Sequence, residues 1–275
     1  MESRSGFTKE MTGSAVADKT LRVAVQFWFV VAVIGQWIFA SYIIAYYGGS
    51  AARGNMDMWN QVFPRGYVAN DLPGNLLVIL HLFLAAVVTV GGPLQLIPQI
   101  RARLPIFHRW NGRVYLLAVC IVSIAGLGMF FSRGSVGGPM QLWALAINAM
   151  LVIGAAAMAL RYALAGKFNI HRRWALRVFL LASGVWFFRI ALMLWLVLNQ
   201  GPAGFDPETF QGPFLSFLAF AQYLFPLAVL EVYFRVQDAA HRLGQFMLAA
   251  AIIVLTLAMA AGIAAATLLM WLPRL

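Results

Sequence analysis

Apolar residues along this chain fall in blocks long enough to cross a bilayer, separated by short polar or Gly/Pro-bearing gaps. Seven such blocks stand near residues 23–47, 73–97, 111–131, 140–163, 174–198, 213–235 and 245–272. A hydrocarbon core about 30 Å thick needs roughly 20 apolar residues per helix, and each block meets or approaches that length. Pro64, Pro73, Pro105, Gly137-Gly138-Pro139, Gly201-Pro202 and Gly212-Pro213 punctuate the gaps, as residues that end helices do. The pattern predicts an all-α fold, a polytopic seven-helix transmembrane bundle. A cytoplasmic tail over residues 1–22 leads into one membrane domain over 23–272. The first block is too long for a cleaved leader, and an outer interfacial loop is expected over 48–72, with Trp59, Phe63 and Tyr67.

The blocks repeat. Arg109-Trp110 with Arg113 returns as Arg173-Trp174 with Arg177, sixty-four positions later, each copy preceded by a histidine. Spans two and three therefore form one hairpin and spans four and five another. His241-Arg242 marks a weaker third hairpin. One leading helix plus three helical hairpins in parallel repeat is the expected architecture.

Composition supports lipid as the solvent: 62% of residues are hydrophobic and 11% charged, against about 45–50% and 25% in ordinary domains. The net charge of +11 is not a nucleic-acid footprint, because its distribution follows the spans. Arg4, Lys9, Lys19, Arg22, Arg101, Arg103, Arg109, Arg113, Arg161, Lys167, Arg172, Arg173, Arg177, Arg235 and Arg242 fall on one side. Arg53, Arg65, Arg133 and Arg274 fall on the other. That asymmetry predicts an inner-membrane protein with its N-terminus cytoplasmic and its C-terminus outside. Cys120 stands alone, so no disulfide framework or CxxC metal site exists.

Within the spans, Gln36, His81, Ser123, Asn148, Arg189 and Gln222 reach a similar depth, roughly 12–16 Å below the outer boundary at about 1.5 Å per residue. Burying Arg189 in lipid costs at least ~2.5–3.5 kcal/mol, and no carboxylate occurs at its level. The layer is either a packing network around one cation or a pocket for a ligand with negative or carbonyl oxygen. The long outer segments 48–72 and 199–212 are placed to roof it. In span two, Gly91-Gly92-Pro93 and Pro98 predict a kink that exposes Gln95.

At the inner end, arginine and tryptophan are expected at headgroup level. The histidines admit a second reading, since His108, His171 and His241 each open an odd-numbered span. Neutral imidazole ligates metals and haem iron, with Arg109, Arg113 and Arg172 available to pair with propionates or phosphates. No phosphate-binding loop, HExxH, GxSxG or dinucleotide fingerprint occurs, and the carboxylates are too scattered for a paired acid–base site.

His81, the run Gly92-Pro93-Leu94-Gln95-Leu96 and the motifs around His108–Arg113 and His171–Arg177 resemble a widespread bacterial family of multi-pass membrane proteins. That family is known mainly as a domain of unknown function, and the resemblance implies no established activity. A looser likeness is to the cytochrome b561 group, where His81, Gln95, Arg101, His108 and Gly112 fit the order of residues. It implies at most one inner haem b, between His108 and His171. Three functions are expected from these observations. The first is a b-type oxidoreductase or electron carrier with an inner haem or metal and an outer pocket. The second is a carrier or binding protein for a quinone, an anionic molecule or a lipid-like one. The third is a structural or assembly subunit.

Overall fold

The computed structural model describes residues 2–63, 65–134 and 137–275, with side chains from residue 15 onward. Met1, Pro64, Ser135 and Val136 lie outside the described residues, as do the side chains of Arg4 and Lys9. The described chain is helical, with an isolated bridge between Asp206 and Gln211. The helices are α1 (Glu2–Ile43), α2 (Gly49–Ala52), α3 (Leu72–Leu96), α4 (Pro98–Arg103) and α5 (Pro105–Arg133). They continue as α6 (Gly138–Leu164), α7 (Phe168–Ala182), α8 (Gly184–Leu198), α9 (Pro213–Ala239) and α10 (Arg242–Ala266).

Six stretches are long and apolar enough to cross a membrane: Ala15–Ala52, α3, α5, α6, α9 and Arg242–Arg274. The pair α7 and α8, bent by 50° at one residue, Ser183, is together long and apolar enough to make a seventh, broken span. Proline near the first turn starts α3, α4, α5, α6 and α9, where its missing N–H costs nothing. Asp71 caps α3 by accepting from the Gly74 amide at 3.1 Å.

Two of the three expected hairpins pack as pairs, α3 with α5 and α6 with α7. The third, α9 with α10, is the weakest of the three, as expected. The helix α10 lies mainly along α1 and α8 and meets α9 only sparsely. Gly262 permits this, because a Cβ there would fall 2.6 Å from the Ile190 carbonyl oxygen of α8. The bent span is the hub of the bundle: α7 packs on α3, α6 and α9, while α8 packs on α9 and α10.

In span two the helix α3 continues through Pro93 and ends at Leu96, with a break at Ile97 before Pro98 opens α4. Gly91 and Gly92 serve close packing. A Cβ on Gly91 would meet Asn111 at 3.2 Å, and one on Gly92 would meet Tyr115 at 3.0 Å and Phe179 at 3.2 Å. Asn111 also donates to the Gly91 carbonyl at 3.0 Å, which ties α5 to α3 beside the paired glycines.

Candidate functional site

The break at Ser183 collects half of the polar layer. Gln36 of α1 donates from Nε2 to the Ser183 hydroxyl at 2.9 Å, and that hydroxyl donates to the Phe179 carbonyl at 2.7 Å. Asn148 of α6 donates from Nδ2 to the Leu181 carbonyl at 3.3 Å. Gln222 of α9 donates to the Ala219 carbonyl at 2.7 Å. Its Oε1 sits 3.7 Å from where a Cβ on Gly184 would lie. Each amide nitrogen is fixed by an acceptor, which orients the carboxamide. The oxygens of Gln36 and Asn148 are thereby left buried without donors.

His81 and Arg189 lie toward the end opposite the basic loops. The His81 ring packs over Gly126 of α5, 3.3 Å from a Cβ placed there, and its Nδ1 is buried with no partner. Arg189 donates to the Val185 carbonyl of its own helix at 3.2 Å and sits 5.2 Å over the Phe39 ring. Among the described residues no carboxylate lies within ion-pair distance of it. His81, Tyr42, Tyr47 and Arg274 are within electrostatic reach of its charge. Both His81 and Arg189 are half-buried, each with part of its surface accessible. Tyr42 Oη, Trp186 Nε1 and Trp271 Nε1 are further buried groups without partners. Ser123 is no part of this set, since it bonds only the Val119 carbonyl at 2.7 Å.

The segment 48–72 closes this end. Trp59 is 2% exposed; its indole N–H donates to Ser50 Oγ at 2.8 Å, and its ring stands edge-on to Tyr47. Trp59 is therefore packed in the core against Tyr47 and Ser50. The segment 199–212 instead covers the end of α8 and α9, with Phe205 and Phe210 against Leu192 and Leu215.

At the basic end His108 and His171 lie within electrostatic reach of each other, with Arg101 beside His108. His171 Nδ1 is 2.8 Å from the Ala159 carbonyl oxygen of α6. That oxygen only accepts, so Nδ1 carries a proton, and in the neutral ring the lone pair belongs to Nε2. His108 Nδ1 is buried without a partner. The three-histidine metal set is corrected: among the described residues no three His, Cys, Asp or Glu side chains gather to hold a metal ion. His241 is exposed and caps α10, accepting from the Gly244 amide at 3.4 Å. Gln95 is corrected as well. It lines no cavity there, because it donates to the His108 carbonyl at 3.1 Å and fills the space over Gly112. Arg109, Arg113 and Arg172 are exposed.

Arg133, which the sequence suggested only as part of an outer turn, has a side chain just 2% exposed. It bonds Asp71 Oδ2 at 2.9 Å, Asn75 Oδ1 at 2.9 Å and the Arg65 carbonyl at 3.0 Å. Asn75 in turn pairs with both backbone groups of Val68, so this cluster lashes the closing segment to α3 and α5. A shallow cavity of about 260 Å³ lies beside it, lined by Met56, Tyr67, Asp71 and Asn75 among others. The available signal was Asp71 ahead of Pro73-Gly74, an acid at a helix start with one basic partner across the hairpin.

The family model described as "Predicted membrane protein (DUF2306)" matches residues 78–224, more than half of the chain. That interval contains His81, Asn148, Ser183, Arg189 and Gln222. No curated protein and no solved structure matches the chain, and the looser likeness to the cytochrome b561 group is unsupported. With its six or seven membrane-crossing helices and this match, the chain belongs to the DUF2306 family of multi-pass membrane proteins.

Proposed function

We propose that the protein binds or carries, within the bilayer, a small amphiphile that presents an anionic or carbonyl oxygen, such as a carboxylate or a quinone. The observation that carries this reading is Arg189, a half-buried cation within a span that no carboxylate pairs among the described residues, with His81, whose Nδ1 has no partner, within electrostatic reach. Ionisable groups inside membranes are costly, and they mark ligand or ion paths when the protein itself does not pair them. Guanidinium supplies a planar fork of donors matched to carboxylate or carbonyl oxygen. Tyr42 and Trp186 add donors whose bonds are unmade, and the aromatic walls suit an apolar body. The test is binding of a short-chain ubiquinone and of a long-chain fatty acid to purified protein in detergent. Wild type is expected to bind at least one. Arg189→Met is expected to weaken that binding by about tenfold or more, the scale of one charge-assisted hydrogen bond. Binding that survives unchanged in Arg189→Met ends this reading.

A second reading, electron transfer through one b-type haem or a metal, is favoured by His171. A histidine that donates Nδ1–H to a carbonyl presents Nε2 as metal-bound histidines do, and His171 has that bond to Ala159. His108 and His171 would hold the group, with Arg109, Arg113 and Arg172 exposed at the same end for its acidic substituents. These two histidines would supply the ring ligands of one such group. A two-haem core needs two more, and of the remaining histidines His241 caps α10 while His81 packs over Gly126. When bound, the group would supply one-electron transfer. Purified protein with neither a Soret band nor stoichiometric iron, copper or zinc removes this reading.

For topology, we infer that the basic end faces the cytoplasm of a bacterial inner membrane, with the N-terminus inside and the C-terminus outside. Support comes from the lysine and arginine asymmetry. Cysteines placed at Lys167 and at Gln200 are expected to react with an impermeant thiol reagent only from inside and only from outside, respectively.

A further inference from the structure

The two copies of the repeated motif have parted in what their arginines do. In the second copy, Arg177 forms two parallel bonds to Glu231 of α9, at 2.6 and 2.9 Å, and stacks over Trp174 and Phe234. Arg173 pairs with Asp238, also of α9. In the first copy, Arg109 and Arg113 are exposed, and among the described residues neither meets a carboxylate. The Arg113 guanidinium lies 4.9 Å over the Trp110 ring.

This difference has its origin in the charge pattern. No Asp or Glu occurs between Asp71 and Asp206, and the carboxylates that pair with α7 come from α9. Among the described residues the start of α5 pairs with none, and Arg101 and Arg103 of α4 add two more exposed guanidiniums next to it. Beside these charges stand bare apolar side chains: Leu104, Ile106, Phe107 and Trp110 are all exposed. Tryptophan with aliphatic neighbours suits the boundary between headgroups and acyl chains, and clustered arginines at that level meet phosphate oxygens bidentately.

We propose that the start of α5, with Arg109, Arg113 and Trp110 at its centre, is a binding site for the headgroup of an anionic phospholipid. Its second copy has instead become the clamp between α7 and α9. The lipid's phosphate oxygens take the place that Glu231 and Asp238 take in the second copy. Its chains lie along Ile106 and Trp110. A net-anionic headgroup is selected because the cluster has no acid of its own to balance it, whereas a choline headgroup would add a further cation.

The test is native mass spectrometry of the purified full-length protein, titrated with phosphatidylglycerol or with phosphatidylcholine of the same chains. Wild type is expected to retain phosphatidylglycerol and not phosphatidylcholine. The R109Q/R113Q variant is expected to lose about tenfold or more in phosphatidylglycerol retention, and Arg172→Gln to retain it as wild type does. Should the double variant misfold, the single variants Arg109→Gln and Arg113→Gln serve, each with an intermediate loss. Equal retention of the two lipids by wild type overturns the proposal, as does undiminished retention by folded variants. Complete displacement of the lipid by millimolar inorganic phosphate also overturns it, by making the site one for free anions.

Discussion

The carboxamide of Gln36 and the hydroxyl of Ser183, 147 positions apart in sequence, meet at 2.9 Å and tie the first span to the one residue that interrupts the fifth. Gln36 is 2% exposed and Ser183 8%, so water cannot replace either partner. Ser183→Ala removes the acceptor and leaves a buried amide N–H unpaired, which costs about 1–3 kcal/mol. Thermal unfolding in detergent should show that loss, and the double variant Q36L/S183A should recover part of it. Strictly additive losses would contradict the pairing.

Gly74 is expected to tolerate no side chain. A Cβ there would fall 2.3 Å from Arg133 Nη2 and 2.4 Å from Asp71 Oδ2, so Gly74→Ala must break the buried pair. Breaking a buried ion pair costs ~3–5 kcal/mol, and the partial exposure of Asp71 places this case toward the lower figure. Gly154→Ala is the matched control, since nothing lies within 4 Å of its added Cβ. Similar melting temperatures for the two variants would show that the Arg133 cluster does not hold the closing segment.

The Arg177–Glu231 pair should be a clamp of intermediate strength. It is bidentate and half-buried, with side-chain exposures of 20% and 40%. A charge-assisted bond of this kind contributes about 1.5–3 kcal/mol. Glu231→Gln should lower stability by roughly half that range, keeping one hydrogen bond and losing the charge. A double-mutant cycle with Arg177→Gln should return a coupling of ~1 kcal/mol or more. A cycle that returns none would assign the contact to the lipid-facing surface.

Arg189 should separate stability from binding. An enclosed cation without a carboxylate opposes folding, so Arg189→Met should leave the fold intact or stabilise it by about 1–3 kcal/mol. The same variant should lose ligand. If it unfolds instead, the guanidinium is a packing element and the pocket reading fails with it.

Asp206, in the segment between α8 and α9, should make that segment sensitive to acid. Its carboxylate accepts from the Glu208 amide at 2.9 Å and from the Thr209 hydroxyl at 3.0 Å, which holds it below the usual carboxylate range. A depressed folded value means that its contribution is present above the unfolded value near ~3.9. That contribution is lost as pH falls through the lower folded one. Pepsin nicking within residues 199–212 should rise below about pH 4 in wild type and be flat over the same interval in Asp206→Asn. A rise of equal size in both would exonerate Asp206.

Span number and the repeat were readable because each rests on length or identity. An apolar run either spans or does not, and Arg109-Trp110 with Arg113 is matched residue for residue by Arg173-Trp174 with Arg177. The shared depth of Gln36, Asn148 and Gln222 was readable for a similar reason, since rise per residue converts directly into level. What they converge on was hidden. Pro93 pointed to a distortion of α3, whose helix continues through it, while Ser183, with no proline near it, ends α7. The groups that meet at Ser183 come from far away in sequence: Asn148 of α6 donates to the Leu181 carbonyl and Gln36 of α1 to the Ser183 hydroxyl. Arg133 was hidden likewise, because its partners Asp71, Asn75 and the Arg65 carbonyl become neighbours only after α3 and α5 pair.

Trp59, wedged against Tyr47 and Ser50, anchors the segment 48–72 at the non-basic end, and Arg133 ties the same segment to α3 and α5 through the Arg65 carbonyl and Asp71. Any guest of Arg189 would have to travel sideways, out of the acyl chains and between helices. Its apparent affinity would then track its own oiliness, because the concentration the protein samples is the one dissolved in lipid. Homologous guests that differ only in tail length should therefore rank by partition coefficient when dosed from water, and converge when dosed per mole of lipid.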